Sequence, residues 1–141
     1  MMTQAPQIKL SAPFIKNHQQ CLLFIDDSTL VLETLQALLE EESCEVLMSD
    51  TVLQALLLVA RHYPQYIFID ADMPELSGFH LCALLKENLR YKAVRIVLLL
   101  SQESLPLRAR ALSVGADAVI TKPFGKAELR PFIQLSGGQA A

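Results

Sequence analysis

Short apolar runs and longer amphipathic segments alternate along this chain from residue 21 onward. The apolar runs are typical of buried strands and predict them at residues 21–25, 44–48, 66–69, 94–100 and 118–121. Apolar positions three and four residues apart predict helices at residues 28–42, 51–62, 79–89, 105–114 and 126–135. Strands that alternate with helices through right-handed crossovers form a doubly wound α/β domain. We therefore expect a five-stranded parallel sheet with helices on both faces.

The segments outside this alternation lack a clear period. Residues 1–20 contain Pro6, Pro13 and several glutamines and are predicted to form an irregular N-terminal arm. We expect the domain to span residues 21–135 and residues 136–141 to form a flexible C-terminal tail. The segment 51–60 is apolar on nearly all sides, which is unusual for a surface helix. We therefore expect another part of the chain or another protein to cover Leu53 and Leu57. The arm or a partner protein is the favoured cover.

Polar residues follow four of the predicted strands, at the point where each strand ends. Asp26 and Asp27 follow the first strand, Asp70 ends the third, and Ser101 and Lys122 follow the fourth and fifth. The carboxyl ends of parallel strands meet at one edge of a sheet, so these side chains are expected to converge. Together they offer carboxylates for a divalent metal, and a hydroxyl and an ammonium for a phosphoryl group.

Each of these signals also has a simpler explanation. Aspartate and serine cap helices, so the sequence Asp26-Asp27-Ser28 could serve only to begin the next helix. Ser101 could cap a helix in the same way, and residues 70–74 could form an ordinary turn. The occurrence of all four signals at strand ends, where ligands bind in such sheets, favours a functional site.

Composition excludes several classes of function. The 141 residues carry 12 basic and 15 acidic side chains, so the net charge of -3 provides no basic surface for nucleic acid. No apolar stretch approaches the roughly 18 to 20 residues that span a bilayer, and no signal peptide is recognisable, which predicts a cytoplasmic protein without membrane insertion. Cys21, Cys44 and Cys82 show no metal-binding spacing and are interpreted as reduced core thiols.

The segments FIDDS, FIDADMPELSGF, IVLLLS and ITKPF, in this order, resemble the receiver domain of two-component response regulators. The resemblance covers residues 21–135 and implies the flavodoxin-like topology shared with the chemotaxis response regulator. The segment GFHLCALLKEN is also similar to receivers of type IV pilus twitching-motility systems.

The resemblance implies a role for each converging residue. Asp70 would be the phosphoacceptor, which attacks the phosphoryl group of a phosphohistidine. Asp27 and Asp70 would bind Mg²⁺ directly, together with the backbone carbonyl of Asp72, and Asp26 would act largely through water. Lys122 would contact a phosphoryl oxygen.

The resemblance also implies the behaviour of two loops. Ser101 would hydrogen bond the phosphoryl group and pull its loop inward. The peptide bond between Lys122 and Pro123 is expected to be cis, which is inexpensive only before proline.

The implied function is that of a stand-alone receiver, which is not an enzyme and signals by protein contact. Its partners would be a histidine kinase or phosphotransfer protein and a downstream target that the sequence does not identify, and the protein is expected to be a monomer. Two alternatives remain open. One is a pseudo-receiver that acts without phosphotransfer, and the other is a haloacid-dehalogenase-like phosphatase, suggested by the Asp70-x-Asp72 pattern.

Two residues depart from the pattern of the family. Many receivers carry Tyr or Phe two residues into the last strand, and this chain has Val119, which cannot relay a signal by ring rotation. Pro131 falls within the predicted last helix, where it removes a donor, so that helix is expected to be short or kinked.

Overall fold

The computed structural model describes residues 20–133, and in this range five strands form one parallel sheet. The strands are β1 (Gln20–Ile25), β2 (Cys44–Ser49), β3 (Tyr66–Asp70), β4 (Arg95–Leu100) and β5 (Ala118–Thr121). The helices are α1 (Thr29–Leu39), α2 (Val52–His62), α3 (Gly78–Glu87), α4 (Leu105–Ser113) and α5 (Lys126–Leu129), with a 3-10 turn at Leu89–Tyr91. The strand order β2-β1-β3-β4-β5 is that of a doubly wound domain, so the predicted fold is confirmed.

Helices cover both faces of the sheet and divide the core into two layers. On one face α2, α3 and α4 pack over Ile25, Ile69 and Leu98. On the other face α1 and α5 pack over Phe24, Phe68 and Leu99, and the rings of Phe24 and Phe68 stack with centroids 4.5 Å apart. The central strands are therefore buried on both sides, which explains their continuous apolar sequences.

Several element boundaries differ from the prediction. The first helix ends at Leu39 rather than at residue 42, and β2 has six residues, like β1 and β4, so β4 is not the longest strand. The third helix ends at Glu87 because the side chain of Asn88 accepts a hydrogen bond from Arg90 N and begins the 3-10 turn.

The apolar residues of the third helix predict one buried stripe of Leu81, Leu84, Leu85 and Leu89, and this prediction is partly wrong. Leu84 is 49% exposed and Leu89, which lies beyond the helix end, is 82% exposed. The face of α3 that packs against the sheet instead contains Phe79, Leu81, Cys82 and Leu85.

The last helix is short, as Pro131 predicted. Helix α5 ends at Leu129, two residues before the proline, and Val119 lies half-buried in β5. The structure also moves Gln20 from the predicted arm into β1. The rest of the arm and residues 134–141 lie outside the described residues.

The described part of the chain holds no helix that is both long and apolar enough to cross a bilayer. Cys44 and Cys82 are buried and Cys21 is half-buried, and all three thiols are free. Burial raises the pKa of Cys82 to about 11, and burial together with Glu45 raises that of Cys21 to about 12. Such thiols stay protonated, as expected for unreactive core cysteines.

Candidate functional site

The end of β1 supplies a fully buried carboxylate, Asp26. Its Oδ1 accepts a hydrogen bond from Ser28 N at 2.9 Å, and Ser28 Oγ in turn accepts one from Val31 N at 3.3 Å and caps α1. The capping explanation therefore holds for Ser28. The neighbouring residue Asp27 is exposed, and its carboxylate interacts with that of Asp70.

The end of β3 places Asp70 beside these two acids. Asp70 is only 4% exposed, and its Oδ1 accepts a hydrogen bond from Asp72 N at 3.3 Å. Carboxylate oxygens of Asp26, Asp27 and Asp70 lie within 4.8 Å of one another. The predicted convergence of the strand ends thus produces a compact set of oxygen ligands suited to a hard divalent cation.

Lys122, the residue after β5, supplies the positive charge nearest to this cluster. Its Nζ lies 2.8 Å from Asp26 Oδ2 and donates to Asp70 Oδ1 at 3.3 Å. The Lys122–Pro123 peptide bond is cis, as the resemblance implied. A single ammonium faces three carboxylates, so the cluster keeps an excess of negative charge.

Burial and, after it, this negative charge change the protonation of Asp70. Burial and then the charge of Asp26 raise the pKa of Asp70 from 3.8 to about 6, although Lys122 opposes the rise. Burial disfavours the charged ammonium of Lys122, but the close ion pair with Asp26, helped by Asp70, outweighs burial and raises the pKa of this lysine.

One oxygen of the cluster fits a bound cation especially well. Asp26 Oδ2 is buried, and among the described residues Lys122 Nζ lies at an ion-pair distance of 2.8 Å from it, outside regular hydrogen-bond geometry. This single contact leaves part of the hydrogen-bonding capacity of the buried carboxylate oxygen unused. An ordered water, a cation or a hydrated cation at this position would satisfy it, so the residues present fit the Mg²⁺ that the sequence predicted.

Ser101 joins the site through Asp72 rather than through Asp70. It follows β4, is exposed, and donates its hydroxyl hydrogen to Asp72 Oδ2 at 3.1 Å. The sequence placed Asp72 at the site for its backbone carbonyl. The structure adds a role for its side chain, which holds Ser101 in place.

Gly78 is a structural requirement of the site that sequence reasoning missed. A Cβ atom at this position would lie 2.2 Å from the carbonyl oxygen of Asp70 and 2.8 Å from Ala71 Cα. The backbone N–H of Gly78 donates to Ala71 O at 3.0 Å. Only glycine therefore lets the start of α3 close against the end of β3, and the signal was the glycine of LSGF.

A second feature missed from the sequence ties the Ser101 loop to the last strand. Glu103 Oε1 accepts hydrogen bonds from Thr121 Oγ1 at 2.8 Å and from Arg108 Nη2 at 3.0 Å. Hydrogen bonds from Arg108 and then Thr121 lower the pKa of Glu103 to about 2. The loop after β4 is thus connected to β5 and α4 at the same point.

Comparison with known proteins agrees with this geometry. The family described as response regulator receiver domain matches residues 22–134. Protein PilG of Pseudomonas aeruginosa is 37% identical over 108 residues, which cover 77% of this chain and 80% of PilG. The heme response regulator HssR of Staphylococcus saprophyticus is 30% identical over 107 residues, which cover 76% of this chain but only 46% of HssR.

The fold has a close counterpart among solved structures. The chemotaxis protein CheY4 of Vibrio cholerae superposes with a TM-score of 0.74 at 24% identity, over 80% of this chain and 94% of CheY4. This likeness concerns the fold, while the match over residues 22–134 concerns the sequence family. The chain therefore belongs to the family of response regulator receiver domains, with a chemotaxis-regulator-like fold.

Proposed function

We propose that this receiver accepts a phosphoryl group on Asp70 from a histidine kinase or phosphotransfer protein, in a Mg²⁺-dependent reaction, and passes the signal on by protein contact. The main support for this proposal is the position of Asp70. Its buried carboxylate lies within 4.8 Å of two further carboxylates and within hydrogen-bond distance of Lys122. A family member with this set of groups is suited to phosphoryl transfer rather than to binding alone.

The chemistry requires an ionised Asp70. One carboxylate oxygen attacks phosphorus, an O–P bond forms, the N–P bond to the donor histidine breaks, and the imidazole leaves and takes up a proton. With a pKa of about 6, Asp70 is mostly ionised at neutral pH. Lys122, which lies between Asp26 and Asp70, balances part of the negative charge that an incoming phosphoryl group meets.

Asp26, Asp27, Asp70 and the backbone carbonyl of Asp72 are the groups that would hold Mg²⁺. Bound there, the ion would neutralise clustered carboxylates and polarise phosphoryl oxygens. The unused capacity of the buried Asp26 Oδ2 supports this assignment. The oxygens of the three carboxylates lie within 4.8 Å of one another, close enough to share one cation.

Lys122 and Ser101 are proposed to recognise the transferred group. Lys122 Nζ would move from Asp70 Oδ1 to a phosphoryl oxygen, as a flexible point charge can. The Ser101 hydroxyl would leave Asp72 Oδ2, now 3.1 Å away, and donate to the phosphoryl group. This exchange would shift the loop after β4 only if the phosphorylated state is stabilised relative to the resting one.

Further expectations from the sequence remain proposals. That the receiver acts on its own agrees better with PilG, 80% of which is covered, than with HssR, 46% of which is covered, and that it is not an enzyme stays our prediction. The similarity to PilG also supports a receiver of the chemotaxis or pilus type. A cytoplasmic monomer stays our prediction, as does the domain end at residue 135, while β1 already begins at Gln20.

Labelling with acetyl phosphate tests the assignment of Asp70. The parent protein should become labelled only with Mg²⁺, and mass spectrometry after borohydride reduction should locate the acyl phosphate at Asp70. Asp70→Asn should abolish labelling, and Asp27→Asn should raise the Mg²⁺ concentration required. Glu87→Gln, an acid-to-amide change at an exposed residue of α3, is the matched control. Undiminished labelling of Asp70→Asn would disprove the assignment.

A further inference from the structure

A groove of about 650 Å³ lies between α1 and the edge strand β2, away from the strand ends that form the phosphoryl site. Among the described strands β2 pairs only with β1, so its side chains have a neighbouring strand on one side only. Val46 and Met48 consequently remain half-buried although they belong to the core layer under α1. The floor of the groove is apolar and formed by Leu39, Cys44, Val46 and Met48.

The rim of the groove is acidic. Two residues on the α1 side of the groove, Glu33 and Glu40, form this rim. They are seven positions apart, which is about two helical turns, so they lie on the same side of the helix. Both are exposed, and neither has an ion pair or hydrogen bond within residues 20–133. No lysine or arginine lines the groove. An apolar segment with positive charges and no acidic residue would complement this surface.

The N-terminal segment of the same chain, residues 1–19, has this composition. It contains Lys9 and Lys16 but no aspartate or glutamate, and its large apolar residues include Ile8, Leu10, Phe14 and Ile15. The segment joins the sheet at Gln20, which is the direct neighbour of Cys44 in the pairing of β1 with β2. Cys44 is part of the groove floor, so the segment leaves the domain beside the groove.

We propose that residues 1–19 dock into this groove, with Phe14 and Ile15 on the floor around Val46 and Met48 and the two lysines at the rim formed by Glu33 and Glu40. The segment is long enough to follow the groove. The five residues before Gln20 span about 17 Å when extended, and the eleven residues of α1 span about 16 Å.

Charge and size favour this segment over a second copy of the chain. Of the 12 basic and 15 acidic residues, two basic residues lie in residues 1–19, so the remainder carries ten basic and fifteen acidic side chains, a net charge of -5. A second domain would therefore bring further negative charge to an acidic rim. A stable interface between copies also needs about 800 Å² from each partner, whereas a tethered segment binds at millimolar effective concentration and needs much less.

The groove is also a better docking site for the segment than the exposed leucines of α2. Leu53 and Leu57 are 70% and 59% exposed, so the described residues leave that face without the cover predicted from the sequence. Helix α2 carries no acidic residue, however, and its last turn contains Arg61. The lysines of the segment would find no carboxylate on this helix and would be repelled by Arg61.

Methionine methyl NMR of the full chain tests the contact directly. The protein has four methionines, of which Met48 lies in the groove and Met73 is buried in the other core layer. Phe14→Ser with Ile15→Ser should shift the Met48 methyl signal and leave Met73 unchanged, because the ring of Phe14 is removed from the floor. A Met48 signal unaffected by the double substitution, or one that changes with protein concentration in the parent, would overturn the proposal.

Trypsin cleavage after Lys16 tests whether the charged rim holds the segment, because the rim can be changed without altering the sequence that is cleaved. Removal of both rim charges by Glu33→Gln and Glu40→Gln should speed cleavage about threefold to tenfold, the range expected for two weak ion pairs. The control pair Glu41→Gln and Glu87→Gln removes the same charge from exposed residues outside the groove and should leave the rate unchanged. Equal rates in the rim and control variants would show that Glu33 and Glu40 do not hold the segment.

Discussion

Neutralising Asp70 should stabilise the metal-free protein at neutral pH, although this residue is the proposed functional centre. Its pKa is raised from 3.8 to about 6 because the folded protein buries it beside Asp26. A rise of this size means that the folded protein destabilises the ionised carboxylate by about 3 kcal/mol relative to the protonated one. The amide of Asn must still find hydrogen-bond partners, so we expect Asp70→Asn to raise the free energy of unfolding by about 1 to 3 kcal/mol.

The pH dependence gives this expectation a distinctive signature. An acid whose pKa is higher in the folded state binds its proton more readily there, so its contribution to stability is complete below about pH 4. That contribution is lost as the pH rises through about 6, where folded Asp70 ionises. Asp70→Asn cannot lose a proton at this position. The stability gap between variant and parent should therefore be near zero at pH 4 and reach its full size above pH 7.

Urea unfolding in EDTA at several pH values measures this gap, with Glu87→Gln as the control for removal of an exposed carboxylate. Saturating Mg²⁺ should narrow this gap, because an ion present at 100 times its Kd for the folded parent adds about 2.7 kcal/mol to the stability of the parent. Asp70→Asn, which lacks one proposed ligand, should gain less. A variant less stable than the parent in EDTA at pH 7.5, or a gap that does not depend on pH, would refute the electrostatic account of the site.

Three further changes test other parts of the structure. Gly78→Ala should cost about 1 to 3 kcal/mol or more in urea unfolding, because its Cβ would lie 2.2 Å from the Asp70 carbonyl oxygen, and a neutral result would contradict the requirement for glycine. Lys122→Ala should leave Mg²⁺ binding measurable by calorimetry but impair the conformational response to phosphorylation, and complete loss of Mg²⁺ binding would contradict its proposed role. Leu53→Gln with Leu57→Gln should change stability by less than about 0.5 kcal/mol and reduce binding of a hydrophobic dye, and a loss above about 1 kcal/mol would show that these leucines are covered.

The strands and the convergence of the site could be predicted from the sequence because both depend on local pattern. Apolar runs marked all five strands, and the rule that parallel strands end at one edge placed Asp26, Asp70 and Lys122 together. Helix ends were less predictable, because they depend on single side chains such as that of Asn88, which ends α3 before Leu89. The exposure of Leu89 follows from that early ending.

Contacts between residues far apart in the chain could not be predicted from one sequence. The nearly buried carboxylate of Glu42 accepts a hydrogen bond from Lys126 Nζ at 2.9 Å, across 84 residues. The close approach of Gly78 to Asp70 likewise depends on the path of the intervening loop. The composition of a segment identifies a capping serine or a strand, but only the folded chain shows which charges meet.

The bonds of the loop after β4 indicate how a receiver without a rotating ring can respond. Val119 has one preferred rotamer, so a signal from Asp70 cannot depend on an aromatic side chain at this position. The loop is instead held at two points, by Ser101 on Asp72 and by Glu103 on Thr121 and Arg108. These hydrogen bonds lie at the surface, where water competes with them and screens the charges, so each stabilises the resting loop only weakly. Under the proposed function, a phosphoryl group on Asp70 would recruit the Ser101 hydroxyl from Asp72, and the loop moves only if this new bond stabilises the phosphorylated state more than the old bond stabilises the resting one.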